Sequence, residues 1–207
     1  MSSEDSLKLD PKRTALVLIE YQNEFTTEGG KLNEAVKGCM EEVGTMENSK
    51  KVLDAAREAG CTIVHCPIEF QPGHPEISST PYGILAGVRG GEAFKKGAWG
   101  GEFCEAMSPK EGELVVAGKR GLCGFHSTNL DFILRQNDIK NILLAGFLTN
   151  CCVESTMRSG YELGYNIYTL KDCCAATSVE AHNSTYEHNF GMFSNPIDSA
   201  AAIEAIA

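Results

Sequence analysis

Short apolar runs punctuate the chain, and helical patterns fall between them. The first run, Thr14-Ala15-Leu16-Val17-Leu18-Ile19, is apolar almost without interruption. That pattern suits a strand buried on both faces, as in a parallel sheet. Similar runs recur at Thr62-Ile63-Val64, Glu113-Leu114-Val115-Val116, Asn141-Ile142-Leu143-Leu144-Ala145 and Asn166-Ile167-Tyr168-Thr169-Leu170. Val52, Ala55, Ala56 and Ala59 repeat at helical spacing, with Gly60 where a helix would stop. Leu130, Ile133 and Leu134 mark a second helix, with Ser127, Thr128 and Asn129 available as caps. Val153, Thr156, Met157, Gly160, Tyr161 and Gly164 mark a third. Alternation of this kind predicts an α/β fold, a three-layer α/β/α sandwich around a mainly parallel, doubly wound sheet.

The stretch from Pro67 to Ser108 breaks the pattern. It is rich in Gly and Pro, holds the single Trp (Trp99) and shows no sustained period. A loop this long inside a compact domain usually serves as a lid or an interface. Residues 1–10 are polar and acidic and read as a loose arm, so one domain is expected over residues 11–207.

Composition narrows the function classes. Among 207 residues the formal net charge is −10, which argues against a nucleic-acid backbone or an anionic membrane surface as the main partner. Nine cysteines are an odd number, and two pairs are adjacent, Cys151-Cys152 and Cys173-Cys174. Independent bridges fit that arrangement poorly. With no basic, apolar start and no stretch long enough to span a bilayer, a reducing cytoplasm is expected, with most thiols acting as small core residues.

In a parallel α/β sheet, ligands bind outside the carboxyl ends of the strands. That rule nominates Glu20-Tyr21-Gln22-Asn23-Glu24-Phe25, then Gly118-Lys119-Arg120, then Thr149-Asn150-Cys151-Cys152. The thiolate is the reactive form of cysteine, so it needs a proton acceptor and a nearby cation. Cys152 stands immediately before the third helix, where exposed N–H groups would also favour negative charge. Spacing alone leaves two readings open: a nucleophilic site, or a core thiol beside a capping carboxylate.

Two motifs then carry a resemblance. Ile19-Glu20-Tyr21-Gln22-Asn23-Glu24-Phe25 is similar to the opening strand motif I-D-x-Q-x-D-F of isochorismatase-like cysteine hydrolases. Gly146, Thr149, Cys152, Val153, Thr156 and Arg158 match their nucleophile segment G-x-x-T-x-x-C-V-x-x-T-x-R. Lys119-Arg120 with Phe125, Thr128 and Leu130 matches the lysine segment, and Asp172 fits a strand-end Asp. The resemblance implies Cys152 as nucleophile, Glu20 as general base and Lys119 as the cation beside both. It implies an oxyanion hole from the backbone N–H groups of Leu148 and Cys152, and a non-proline cis peptide between Phe147 and Leu148. Gln22 and Phe25 would border the pocket, and Cys151 could face the substrate. The implied activity is cleavage of a C–N bond in a small amide or carbamoyl compound through a thioester. Relatives commonly assemble, so a homo-oligomer is expected. The alternatives are an isochorismatase-type vinyl ether hydrolase and a non-catalytic relative acting as a binding module.

Two departures matter. The motif's Asp is Glu20 here, one methylene longer. Metal-dependent nicotinamidases carry an Asp-x-His…His cluster, whereas His65-Cys66-Pro67-Ile68-Glu69-Phe70-Gln71-Pro72-Gly73-His74 lacks that spacing. No metal and no cofactor are therefore expected. His65 with Cys66 reads as a packed pair, His182 and His188 as helix residues, and Asp172 as ordering its own strand end. His126 could line the pocket or cap a helix. Phe70, Tyr82 and Trp99 could form a substrate wall or a subunit contact.

Overall fold

A computed structural model describes residues 7–207. The strands are β1 (Thr14–Ile19), β2 (Thr62–Cys66), β3 (Leu114–Val115), β4 (Asn141–Phe147) and β5 (Asn166–Ala175). They form one parallel sheet in the order β3-β2-β1-β4-β5. The chain runs outward from β1 through β2 to β3, then returns to β4 on the other side of β1. The order therefore reverses between β1 and β4, and the crevice at their carboxyl ends is the topological switch point.

Helices follow as α1 (Asn23–Thr26), α2 (Asn33–Val43), α3 (Thr45–Ala59), α4 (Ile84–Gly90), α5 (Leu130–Gln136), α6 (Glu154–Glu162), α7 (Val179–His188) and α8 (Ser199–Ile206). Side chains alternate across a strand, so β1 feeds two cores. Leu16 and Leu18 enter the core beneath α2, α3 and α8, with Val36, Leu53 and Ala202. Ala15, Val17 and Ile19 enter the other, with Leu130 and Leu134 of α5 and Met157 of α6. Fully burying one such aliphatic side chain stabilises the fold by about 1.5–3 kcal/mol. The expected α/β/α sandwich is the architecture found.

Several boundaries differ from expectation. β3 shrinks to two residues because it is the edge strand, with Val115 exposed. β5 continues past Leu170 to Ala175, through the exposed Lys171 that interrupts its apolar run. Helix α2 had no clear sequence signal, and α4 lies within the stretch read as irregular. The expected loose arm falls partly on residues 1–6, outside the described residues. Its remainder is pinned: Leu9 is buried and its N–H donates to the Ala205 carbonyl at 2.8 Å. All nine thiols are free, and seven of them are buried. Among the described residues no helix is long and apolar enough to cross a membrane.

Candidate active site

Glu20 is the first residue beyond β1 and takes a left-handed backbone, φ 57°. A non-glycine residue there is strained, and such strain concentrates at functional sites. The conformation ends the strand sharply and turns the chain at this corner. Across the crevice, β4 approaches β1 so closely that only glycine fits. A Cβ on Gly146 (φ 128°) would lie 2.0 Å from the Ile19 carbonyl oxygen. Phe147-Leu148, next in the chain, is a cis peptide.

The turn after β4 carries the thiols. Thr149–Val153 forms a π-helical turn before α6, with the Val153 N–H reaching back to the Leu148 carbonyl at 3.2 Å. Turns of this type often occur at functional sites. Thr156 holds it from above, its hydroxyl donating to the Cys152 carbonyl at 2.7 Å and accepting from the Gly124 N–H at 2.8 Å. Thr149 Oγ1 and His182 Nδ1 share a hydrogen bond of 2.8 Å that ties the turn to α7.

Lys119 completes the group from the third strand end. Its Nζ donates to Glu20 Oε1 and, at 2.9 Å, to the Gly121 carbonyl. Glu20, Lys119 and Cys152 are 2%, 1% and 4% exposed, so their charges interact with little screening from water. Burial works against the Lys119 charge, but Glu20 and the thiols of Cys152 and Cys66 outweigh it and hold the lysine above its ordinary range. The contact with Cys151, burial and the Glu20 carboxylate push the Cys152 thiol well up, while Lys119 opposes them. Cys152 lies in the helical turn Thr149–Val153, which runs directly into α6 at Glu154. The same contact with Cys152 pulls Cys151 down, yet Cys151 does not line the cavity described next.

Glu20 and Cys152 open onto a cavity of about 210 Å³. Phe25 and Leu148 line it as well, with Ala35 and Val36 of α2, Ile84, Leu85 and Val88 of α4, and Thr177 beyond β5. Phe25 is fixed by stacking on Phe147, 5.3 Å between ring centroids, and by Phe94 at 5.4 Å. Gln22 does not border the cavity, contrary to expectation. Its amide clamps backbone instead, donating to Ile68 O at 2.9 Å and Gly101 O at 2.7 Å and accepting from Ile68 N at 2.9 Å. It thereby positions the wall residue Ile68. Sequence reasoning missed Thr177 and the walls from α2 and α4. The only available signal for them was position: Thr177 follows a strand end.

The remaining candidates lie outside the cavity lining. Asp172 caps α8, accepting from the Ser199 N–H at 2.7 Å and hydroxyl at 2.5 Å. His65 pairs with Glu113 at 2.9 Å and His74 with the Ala93 carbonyl at 2.7 Å. Arg158 bonds Glu154 within its own helix. His126 is exposed, Phe70 is core, and Tyr82 and Trp99 lie on the surface, away from the cavity lining. Among the described residues no three His, Cys, Asp or Glu side chains gather as a metal-ligand set.

A parallel α/β sandwich with a carboxylate, a lysine and a thiol gathered at its switch point defines an enzyme for small molecules. The chain belongs to the isochorismatase family, whose Isochorismatase domain model matches residues 14–201, and it is a hydrolase. It is 32% identical over 181 residues to ureidoacrylate amidohydrolase RutB of Rhizobium rhizogenes, covering 81% of this chain and 72% of that one. A cysteine hydrolase from Pseudomonas syringae pv. phaseolicola shares the fold with a TM-score of 0.84 at 23% identity, over 99% of this chain and 98% of that one. N-carbamoylsarcosine amidase from Thermoplasma acidophilum matches with a TM-score of 0.72 at 28% identity, over 90% and 96%. The resemblance read from the two motifs is thus to the right family.

Proposed function

We propose that the chain is an amidohydrolase that cleaves a C–N bond through a thioester on Cys152. The observation that carries this reading is that Glu20 and Cys152 open onto one cavity while Lys119 is locked onto Glu20. Glu20, which opens onto the same cavity as Cys152, accepts the thiol proton as sulfur attacks. Sulfur then bonds to the substrate carbonyl carbon. The oxyanion draws on the N–H groups of Leu148 and Cys152, placed at the turn after β4. Collapse breaks the C–N bond, and Glu20 returns its proton to the departing amine or ammonia. A water, deprotonated by Glu20, cleaves the thioester and restores the thiol. Lys119, bonded to Glu20 Oε1, holds that carboxylate in place through both halves of the cycle. The names of the RutB and N-carbamoylsarcosine amidase relatives support the C–N bond as the target. A homo-oligomer in the cytoplasm completes the reading, with exposed Tyr82 and Trp99 as contact residues that sedimentation analysis of their variants would test.

Ammonia release from a panel of small amides and carbamoyl compounds tests the chemistry. Cys152→Ala should lose at least about 10⁴-fold in turnover, as removal of a nucleophile typically does. Cys151→Ala should retain most of it. Full activity in folded Cys152→Ala would sink the proposal.

A further inference from the structure

We infer that this site selects a neutral, apolar amide of roughly eight to ten non-hydrogen atoms and rejects substrates bearing a free carboxylate. The inference rests on the amidohydrolase reading of the same cavity and goes further, because the wall chemistry is independent of the reacting groups. Of the side chains lining the cavity, only those of Glu20, Cys152 and Thr177 are polar; the rest are aliphatic or aromatic. Ureidoacrylate, the substrate in the relatives' name, carries a carboxylate. Such a group would here lose its water without gaining a cation, an uncompensated cost, and would meet the negative charge of Glu20.

Among the described residues no lysine or arginine side chain lines the cavity. Lys119 is buried and committed to Glu20 and Gly121. Lys31, Arg89 and Arg120 turn elsewhere, and Lys37 and Lys95, which follow the lining residues Val36 and Phe94, are not part of the lining. Lys31 donates to the Glu92 carbonyl at 2.8 Å. Arg89 donates to the carbonyls of Ile77 and Ser78, and Arg120 to Glu76 at 3.2 Å. Size follows from the volume. An apolar cavity of about 150 Å³ holds benzene, so a cavity of about 210 Å³ holds an alkyl or aryl amide of roughly eight to ten non-hydrogen atoms.

The test is a matched pair, hexanamide against its ω-carboxylate counterpart adipamate, compared by kcat/KM on the wild type and by calorimetric binding to Cys152→Ala. Hexanamide should be preferred by at least about a hundredfold in both measurements, given the cost of burying an unpaired carboxylate. Equal or better use of adipamate would overturn the inference and leave the amidohydrolase reading intact. Preferred binding of hexanamide with no hydrolysis of either compound would do the reverse. Failure of Cys152→Ala to bind either compound would also overturn the inference. Ile84 lines the cavity but is 42% exposed, so an arginine there can be tolerated without disrupting the core. Ile84→Arg should move the adipamate-to-hexanamide ratio up at least tenfold. A ratio that stays put in the folded variant would show that wall charge does not select the substrate, and the inference would fall.

Discussion

The two sides of the cavity are held by different forces. The floor, made by the residues after β1 and β4, is polar and tightly bonded: Glu20 to Lys119, Lys119 to Gly121, Thr149 to His182, Thr156 to Cys152. The wall, made by α2 and α4, presents Ala35, Val36, Ile84, Leu85 and Val88, which can only exclude water and fill space. A buried polar network is costly to disturb because every group left without a partner keeps its desolvation penalty. An apolar wall can change shape at much lower cost. In the proposed reading chemistry belongs to the floor and selection to the wall, and variants of the floor should separate catalysis from stability.

After removal of the Cys152 thiol, the largest expected effect comes from Glu20. Glu20→Gln keeps size and hydrogen bonding but removes the proton acceptor, so turnover should fall by about a hundredfold to ten-thousandfold. Glu20→Asp keeps the acceptor but shortens its reach, and should cost on the order of a hundredfold. If Glu20 served only to pair with Lys119, Glu20→Gln would lower the melting temperature and leave turnover per folded molecule nearly normal. Measuring both quantities in both variants separates these outcomes.

Lys119 comes next. Lys119→Met leaves the Glu20 carboxylate buried without its cation, which should destabilise the fold by about 3–5 kcal/mol in denaturant unfolding. A loss below 1 kcal/mol would mean that the pair is not held in the dry environment described here.

His182 gives a smaller effect with a defined pH window. Burial, aided by Lys171, lowers its pKa from 6.5 to about 4. A group depressed on folding contributes stability above its unfolded value, and that stability is lost as the pH falls from 6.5 through about 4. The contribution is on the order of 3 kcal/mol. His182→Gln, which can still bond Thr149, should flatten the fall in stability between pH 7 and pH 4. An unchanged slope in the variant would show that His182 is not the group responsible. Glu113 separates from this window, since Arg57, the Lys110 N–H and His65 overcome its burial and hold it at about 2.

The same contrast explains what the sequence disclosed. β1 was readable residue for residue because it is central and buried on both faces, so no polar residue interrupts it. Glu20, Lys119 and Cys152 were readable because Glu20 directly follows β1, the other two lie a few residues beyond β3 and β4, and three matched segments bind them to a family. Gln22 shared that motif yet points to backbone, since spacing gives position along the chain and not the direction of a side chain. Helix α2 was missed because Val36, Cys39 and Met40 form its buried stripe while Gly38 and acidic residues dilute the pattern. Helix α4 has only Val88 fully buried, which leaves no period to detect. The rise in the Cys152 pKa was also invisible, since it depends on burial and on how Glu20 and Cys151 are placed around the thiol.

Acid-quench mass spectrometry during turnover addresses the central claim most directly. Trypsin releases Asn141–Arg158 as one peptide, which contains both adjacent thiols, and fragmentation between them assigns any adduct. The account predicts an acyl mass on Cys152 that is labile to hydroxylamine and absent from Cys152→Ala. An adduct on Cys151, or normal turnover by Cys152→Ala, would contradict it.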